Sequence, residues 1–251
     1  MDTRIIPCLQ LEGDRLVKTV RFENPGYIGD PVNTVRIFNE LEVDELCFLD
    51  IRATLHKKAP DYSLLQQIAD ECFMPLSFGG GIADFETAKK VFSCGYEKII
   101  LNSAALANPQ LIRRLADHFG SQAIIVSIDV KKTFLGRYRV MARSGTLDTG
   151  KDPVQWAAEA ESLGAGELLV TSIAREGTWK GFDLSLVSKI SAATSLPVIA
   201  HGGAGSPEDI RDIFGQGGAS AAGIGSLFLF QKKEMGVLIN YPKEKISEAC
   251  S

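Results

Sequence analysis

The chain of 251 residues is 45% hydrophobic and 23% charged, with a formal net charge of −4. It has enough apolar material for a large core and no overall basic field of the kind that collects on nucleic acid. No apolar run reaches ~18 residues, and the start at Met1-Asp2-Thr3-Arg4 leads at once into a strand-like segment. The expectation is therefore a cytoplasmic protein with neither a membrane span nor a signal peptide. The five cysteines, Cys8, Cys47, Cys72, Cys94 and Cys250, are odd in number and lack paired ligand spacing. They read as free thiols, most of them buried as small hydrophobes; with His56, His118 and His201 they make no metal pattern, and no cofactor is expected.

Short β-branched runs bounded by turn signals begin near Arg4, Glu45, Pro75, Lys98, Ala123, Glu167, Pro197 and Ala219. Between them lie amphipathic stretches of helix length: Pro31–Leu41, Tyr62–Cys72, Phe85–Cys94, Pro109–Phe119, Pro153–Leu163, Leu184–Thr194 and Pro207–Gly215. Four helix starts pair a capping side chain with proline at the first helical position, at Asp30-Pro31, Asn108-Pro109, Asp152-Pro153 and Ser206-Pro207. Eight βα units suggest an α/β fold of the (β/α)8 TIM-barrel type, with a doubly wound sheet as the competing architecture.

A self-match at fixed offset favours the barrel. Asp30-Pro31-Val32 matches Asp152-Pro153-Val154, Glu45-Leu46 matches Glu167-Leu168, Pro75 matches Pro197, and Gly80-Gly81 matches Gly202-Gly203, each pair 122 positions apart (152 − 30, for example). Gln10 and Asp129, at equivalent places in the first strand of each copy, are 119 apart (129 − 10), so the first loop of the second copy is three residues longer. Two duplicated four-strand half-barrels, about 1–120 and 121–251, would close into one barrel spanning 1–251 with no linker.

In such a barrel the loops after the strands carry the chemistry. Two glycine-rich loops fall there, Phe78-Gly79-Gly80-Gly81-Ile82 and His201-Gly202-Gly203-Ala204-Gly205, followed one strand later by Asn102-Ser103 and Gly225-Ser226. Tight βα turns need glycine in any case, but two such loops at equivalent positions point to a ligand with phosphate at both ends. Between them the first and fifth strands present Gln10 and Asp129. Two carboxylates there would make an acid/base pair, but an amide cannot take up a proton near neutral pH. Asp50 and Glu176 are further carboxylates on this rim, and Glu176 more readily than Asp129 reads as a solvated or helix-capping acid. At the opposite end Arg4, Glu45, Lys98 and Glu167 open four strands. Charges at strand ends in water need no special purpose; alternatively the four form a ring of ion pairs plugging the barrel axis.

The whole chain resembles the cyclase subunit of imidazole glycerol phosphate synthase. The resemblance is carried by Arg4-Ile5-Ile6-Pro7-Cys8-Leu9, Gly29-Asp30-Pro31, Phe48-Leu49-Asp50-Ile51, Gly79-Gly80-Gly81-Ile82, Phe119-Gly120-Ser121-Gln122, Ser127-Ile128-Asp129, Gly164-Ala165-Gly166-Glu167 and Gly202-Gly203-Ala204-Gly205, in order along the chain. It implies a glutaminase subunit docked on the N-terminal barrel face and ammonia passing along the axis through a gate at Arg4, Glu45, Lys98 and Glu167. It also implies a phosphorylated small-molecule substrate contacted by Lys18, Asp50, Gly80, Gly81, Asn102, Ser103, Thr171, Gly202, Gly203, Gly225 and Ser226, with Lys18 and the segment to Gly29 forming a mobile loop over it.

Three departures stand out. Gln10 replaces one of the two family aspartates, leaving Asp129 as the catalytic carboxylate. Ser172-Ile173-Ala174-Arg175-Glu176-Gly177-Thr178 replaces Ser-Ile-Asp-Arg-Asp-Gly-Thr, and His201 replaces a smaller residue. Loss of one general acid or base costs ~10²–10⁴ in rate. The chain most resembles a divergent branch found in gene clusters for bacterial surface polysaccharides. The first expectation is therefore an ammonia-conducting subunit that serves, with a glutaminase and a third enzyme, the amidation of a nucleotide-linked sugar. The alternatives are an authentic cyclase of histidine biosynthesis and a scaffold that uses the barrel only for docking.

Overall fold

The computed structural model describes residues 3–233, 235–244 and 246; Cys250 lies outside them. The first half runs β1 (Arg4–Glu12), β2 (Arg15–Val20), β3 (Glu23–Gly29), α1 (Pro31–Glu40), β4 (Leu46–Asp50), α2 (Ala53–His56), α3 (Tyr62–Glu71), β5 (Leu76–Gly79), α4 (Phe85–Ser93), β6 (Lys98–Leu101), α5 (Ser103–Ala107) and α6 (Gln110–Phe119). The second runs β7 (Ile124–Lys132), β8 (Tyr138–Ala142), β9 (Leu147–Asp148), α7 (Pro153–Ser162), β10 (Glu167–Ser172), α8 (Leu184–Ser191), β11 (Val198–His201), α9 (Pro207–Gly215), β12 (Ala221–Ile224) and α10 (Ser226–Leu229).

Eight parallel strands close on themselves in the order β1-β4-β5-β6-β7-β10-β11-β12, with β12 returning to β1. The protein is a (β/α)8 barrel, and each of its strands starts within two residues of the position read from sequence. The repeat offset recurs in the register: Gln10 pairs with Leu49 and Asp129 with Thr171, and Leu49 and Thr171 are again 122 apart (171 − 49). Two antiparallel excursions were not anticipated. β2 and β3 form a hairpin on β1, and β8 and β9 extend β7.

Side chains alternate along each strand, so a closed parallel barrel buries one set outward against helices and the other inward around the axis. The outward set, including Phe48, Phe78, Ile99, Val126 and Leu168, shares one core with helix residues such as Phe38 and Trp156. The inward set is a separate apolar plug of Ile6, Cys8, Cys47, Ile100, Ile125, Leu169, Ile199 and Ala221. Cys8, Cys47 and Cys94 are buried free thiols and Cys72 is half-buried. No helix among the described residues is long and apolar enough to cross a membrane.

Three of the four expected caps form. Asp30 accepts from the Asn33 amide, Asp152 from Val154 and Gln155, and Ser206 makes a reciprocal capping box with Asp209. Asn108 does not cap: α6 starts at Gln110 with Pro109 at the cap position and no side-chain cap bond. Its amide instead closes the preceding short helix by donating to the Ala104 carbonyl at 2.9 Å. Asp30→Ala and Asp152→Ala should each lower unfolding free energy by about 1 kcal/mol, whereas Asn108→Ala should leave it within about 0.5. Urea unfolding midpoints of the three variants provide the comparison.

Candidate functional site

At the N-terminal end of the barrel the four expected charges meet. The Arg4 guanidinium bonds both Glu45 and Glu167, and the Lys98 ammonium lies 3.2 Å from each of the same two carboxylates. These are not independent strand-end charges: each bonds two of opposite sign, closing a ring across the axis. Above it comes the apolar plug, and then a polar rim. On β6 the step from Lys98 in the ring to Asn102 at the rim is four residues (102 − 98), on the order of 13 Å of strand.

The rim surrounds a cavity of about 170 Å3, bordered by Gln10, Asp50, Gly80, Gly81, Asn102, Ser103, Asp129, Thr171 and His201 among others. Asp129, at the end of the inward row of β7, accepts from Ser127 Oγ at 3.0 Å and Asn102 Nδ2 at 3.3 Å, with Thr171 beside it in register on β10. Burial raises its pKa to about 6, against the opposing effect of the Ser127 and Thr171 hydroxyls. Asn102, expected to reach phosphate, also donates to the carbonyls of Ser127 and Met141 at 3.2 Å, so its amide holds the wall around Asp129. Ser103 Oγ donates to Asn102 Oδ1 and accepts from the Arg143 amide. Asp50 caps α2, accepting from Arg52 and Ala53 amides at 2.9 and 2.8 Å, while bordering the cavity.

Across the rim, Gln10 belongs to a closed network. Its Oε1 accepts from the Thr19 amide at 2.8 Å and lies 3.1 Å from Thr19 Oγ1, and its Nε2 donates to Glu176 at 3.3 Å. Glu176 is no solvated acid: it is 0% exposed, ion-pairs with Lys18, and accepts from Thr19 Oγ1 and the Phe22 amide, each at 3.0 Å. Lys18 lies in strand β2, where a mobile loop was expected, and is 6% exposed. A carboxylate at position 10 would face Glu176, whose charge would resist its ionisation; an amide donates there instead. The longer acid at 176 and the amide at 10 are thus one arrangement.

The two glycine loops are unequal. Gly80 and Gly81 open into the large cavity, while Gly202, Gly203, Gly225 and Ser226 border a separate space of only about 10 Å3 shared with Lys18, Glu176 and His201. Both loops need glycine for the backbone alone. A Cβ on Gly80 would stand 2.4 Å from the Asp50 carbonyl, and one on Gly203 would stand 2.1 Å from the Gly181 carbonyl, both at positive φ. Alternation could have found Ser127, two residues before Asp129 on the same inward row. Thr19 sits on an unanticipated hairpin and carried no signal.

The structure is thus a (β/α)8 barrel with an ion-pair ring at one mouth and a buried carboxyl at the rim of the other. A family model described as "Histidine biosynthesis protein" matches residues 4–234. The chain belongs to this family, among the HisF-type subunits of imidazole glycerol phosphate synthase. It is 50% identical over 239 residues to a Pseudomonas aeruginosa protein named "Putative imidazole glycerol phosphate synthase subunit hisF2", covering 95% of each chain. It is 46% identical over 247 residues to a Leptospira interrogans protein named "Putative imidazole glycerol phosphate synthase subunit HisF", covering 98% of this chain and 97% of that one. It is 41% identical over 225 residues to the "Imidazole glycerol phosphate synthase subunit HisF" of Streptococcus sanguinis, covering 90% and 89%.

The buried Lys18–Glu176 pair yields a stability prediction. Glu176→Ala leaves a buried ammonium without its counter-charge and should cost roughly 3–5 kcal/mol. The double variant Lys18→Met, Glu176→Leu removes both charges and should cost clearly less than the sum of its two single changes. Chemical denaturation of the four proteins closes this cycle, and additive losses would show that the pair is not coupled.

Proposed function

We propose that this protein is the cyclase subunit of an imidazole glycerol phosphate synthase, using ammonia delivered by a glutaminase docked on the N-terminal barrel face. The observation that carries this reading is the shared axis: a closed ring of Arg4, Glu45, Lys98 and Glu167, an apolar plug, and the Asp129 carboxyl above it. A desolvated interior favours neutral ammonia over ammonium, because a charge entering it loses its hydration. The charged ring would then serve as the gate. Asp129 supplies proton transfer on a phosphorylated substrate seated against Gly80 and Gly81, with Lys18, Ser103, Thr171, Gly202, Gly203, Gly225 and Ser226 completing its surroundings. The names of the HisF relatives support a place in histidine biosynthesis.

A second reading, amidation of a nucleotide-linked sugar with a third enzyme, is favoured by one observation. Gln10 is bonded into the Glu176 network, so an amide stands where the family pattern has the second of its two aspartates. The names of the relatives give this reading no support.

Assay of the purified chain with the histidine-pathway substrate and ammonium salt tests the first reading without the partner. Turnover is expected, falling ~10²–10⁴-fold in Asp129→Asn. Because burial raises Asp129 to about 6, its ionised form is lost below that pH; if it acts as the base, kcat should rise through pH 6 and level off above it. Gln10→Asp alone sets two carboxylates against each other, so the pair Gln10→Asp, Glu176→Asp should turn over faster than Gln10→Asp. With the glutaminase present, Lys98→Met should impair glutamine-driven turnover and spare the ammonium-driven rate. Absence of turnover in the wild type, together with failure to restore growth of a cyclase-deficient histidine auxotroph, would transfer the assignment to sugar amidation.

A further inference from the structure

Three adjacent barrel strands set Asp129, Thr171 and His201 side by side at the rim. Thr171 pairs in register with Asp129 on β7 and with His201 on β11. The next position of this row is Gly223 on β12, where a Cβ would stand 3.3 Å from the imidazole Cδ2 and 3.4 Å from the His201 Cβ. Absence of a side chain there makes room for the ring. Thr171 Oγ1 is 3.1 Å from His201 Nδ1, and on the neighbouring strand it stands beside Asp129, where its hydroxyl favours the ionised carboxylate. Thr171 and His201 are 2% and 5% exposed, so bulk water scarcely competes for these contacts.

The donors can be counted. An ionised carboxylate only accepts, so Thr171 must spend its single hydroxyl proton on Asp129. The Thr171 oxygen then faces His201 as an acceptor, and Nδ1 must carry hydrogen. The ring is neutral in the empty site because burial, and then the Lys18 charge, pull its pKa down to about 3. A neutral ring protonated at Nδ1 leaves Nε2 bare, which is the minor form of histidine in water.

We propose that His201 is a positioning residue for proton transfer, its Nδ1–H holding the Thr171 hydroxyl so that Thr171 donates to Asp129. The functional half of this role rests on Asp129 as the proton-transfer group; the hydrogen-bond chain itself does not. The ionisable groups around the imidazole are Lys18 of β2, Cys8 of β1 and Glu176 of the loop after β10; Asp50 and Arg52 border the cavity from the β4 side. All stay in place in the variants below.

Imidazole 15N NMR of the full chain tests the hydrogen-bond chain without substrate. The signals of His56, His118 and His201 are assigned through loss of one in His201→Asn. Near neutral pH His201 should show the Nδ1–H tautomer, Thr171→Val should convert it to Nε2–H or a mixture, and Asp129→Asn should abolish a His201 shift change centred near pH 6. An Nε2–H ring in the wild type, or no response to Thr171→Val, overturns the proposal. In the cyclase assay, His201→Leu should move the acid limb of kcat up by about 1 pH unit with little change in KM. His201→Asn, whose amide can donate from nearly the same place, should restore the limb. An unmoved limb in His201→Leu, or no rescue by His201→Asn, overturns the functional role. Absence of turnover in the wild type instead overturns the proposed function, and the tautomer result still decides the chain of bonds.

Discussion

One buried carboxylate ties together parts of the chain far apart in sequence. Glu176, in the turn after β10, receives the Lys18 ammonium, the Thr19 hydroxyl, the Gln10 amide and the Phe22 backbone N–H. An ion without exposure loses its hydration, a penalty of several kcal/mol in a protein, and it persists only when its acceptor positions are filled by charge and by donors. Filling them fixes the β2–β3 hairpin over the rim and turns the Gln10 amide nitrogen inward. It also draws Lys18 against the end of β12, where a Cβ on Gly225 would stand 2.9 Å from the Lys18 Cε.

The consequence is an asymmetric rim on a symmetric frame. In one half the inward row of β7 ends in an ionisable carboxyl held by neutral donors, raised by burial to about 6. In the other half the equivalent row of β1 ends in an amide, and the nearby carboxylate is already paired. Of the two equivalent row ends, only one therefore carries an ionisable carboxyl, while the first glycine loop keeps the open cavity. Below both, the inward alternation of the strands orders the axis into charge, hydrocarbon and polar rim.

Much of this was legible in the sequence. The strand starts, the helices and three caps follow from local periodicity and from side chains acting within one turn of themselves. The repeat offset placed Asp129 opposite Gln10 correctly, and the four charges opening their strands do meet. Other features were not legible. The hairpin turn at Arg21 and Phe22 has positive φ at both residues, 56° and 66°, yet carries none of the Gly, Asn or Asp that mark such turns. Glu176 looked like a surface acid because the partners that bury it, Gln10, Lys18 and Thr19, are more than 150 residues away in sequence. Asn108 looked like a cap because the pattern allowed one, but its backbone was already engaged by the preceding short helix.

Alternation, caps and an internal repeat were enough to give the eight-strand barrel and to place Gln10 and Asp129 at one end and the four charges at the other. Tertiary structure alone decided that the four charges pair into a ring, that Lys18 is a buried strand residue paired with Glu176, that the two glycine loops face unequal spaces, and that Thr171 stands between His201 and Asp129. The physical reason is distance along the chain. The Phe22 amide is held by a carboxylate 154 residues away, and no local pattern encodes a turn whose positive φ is fixed by so remote a partner.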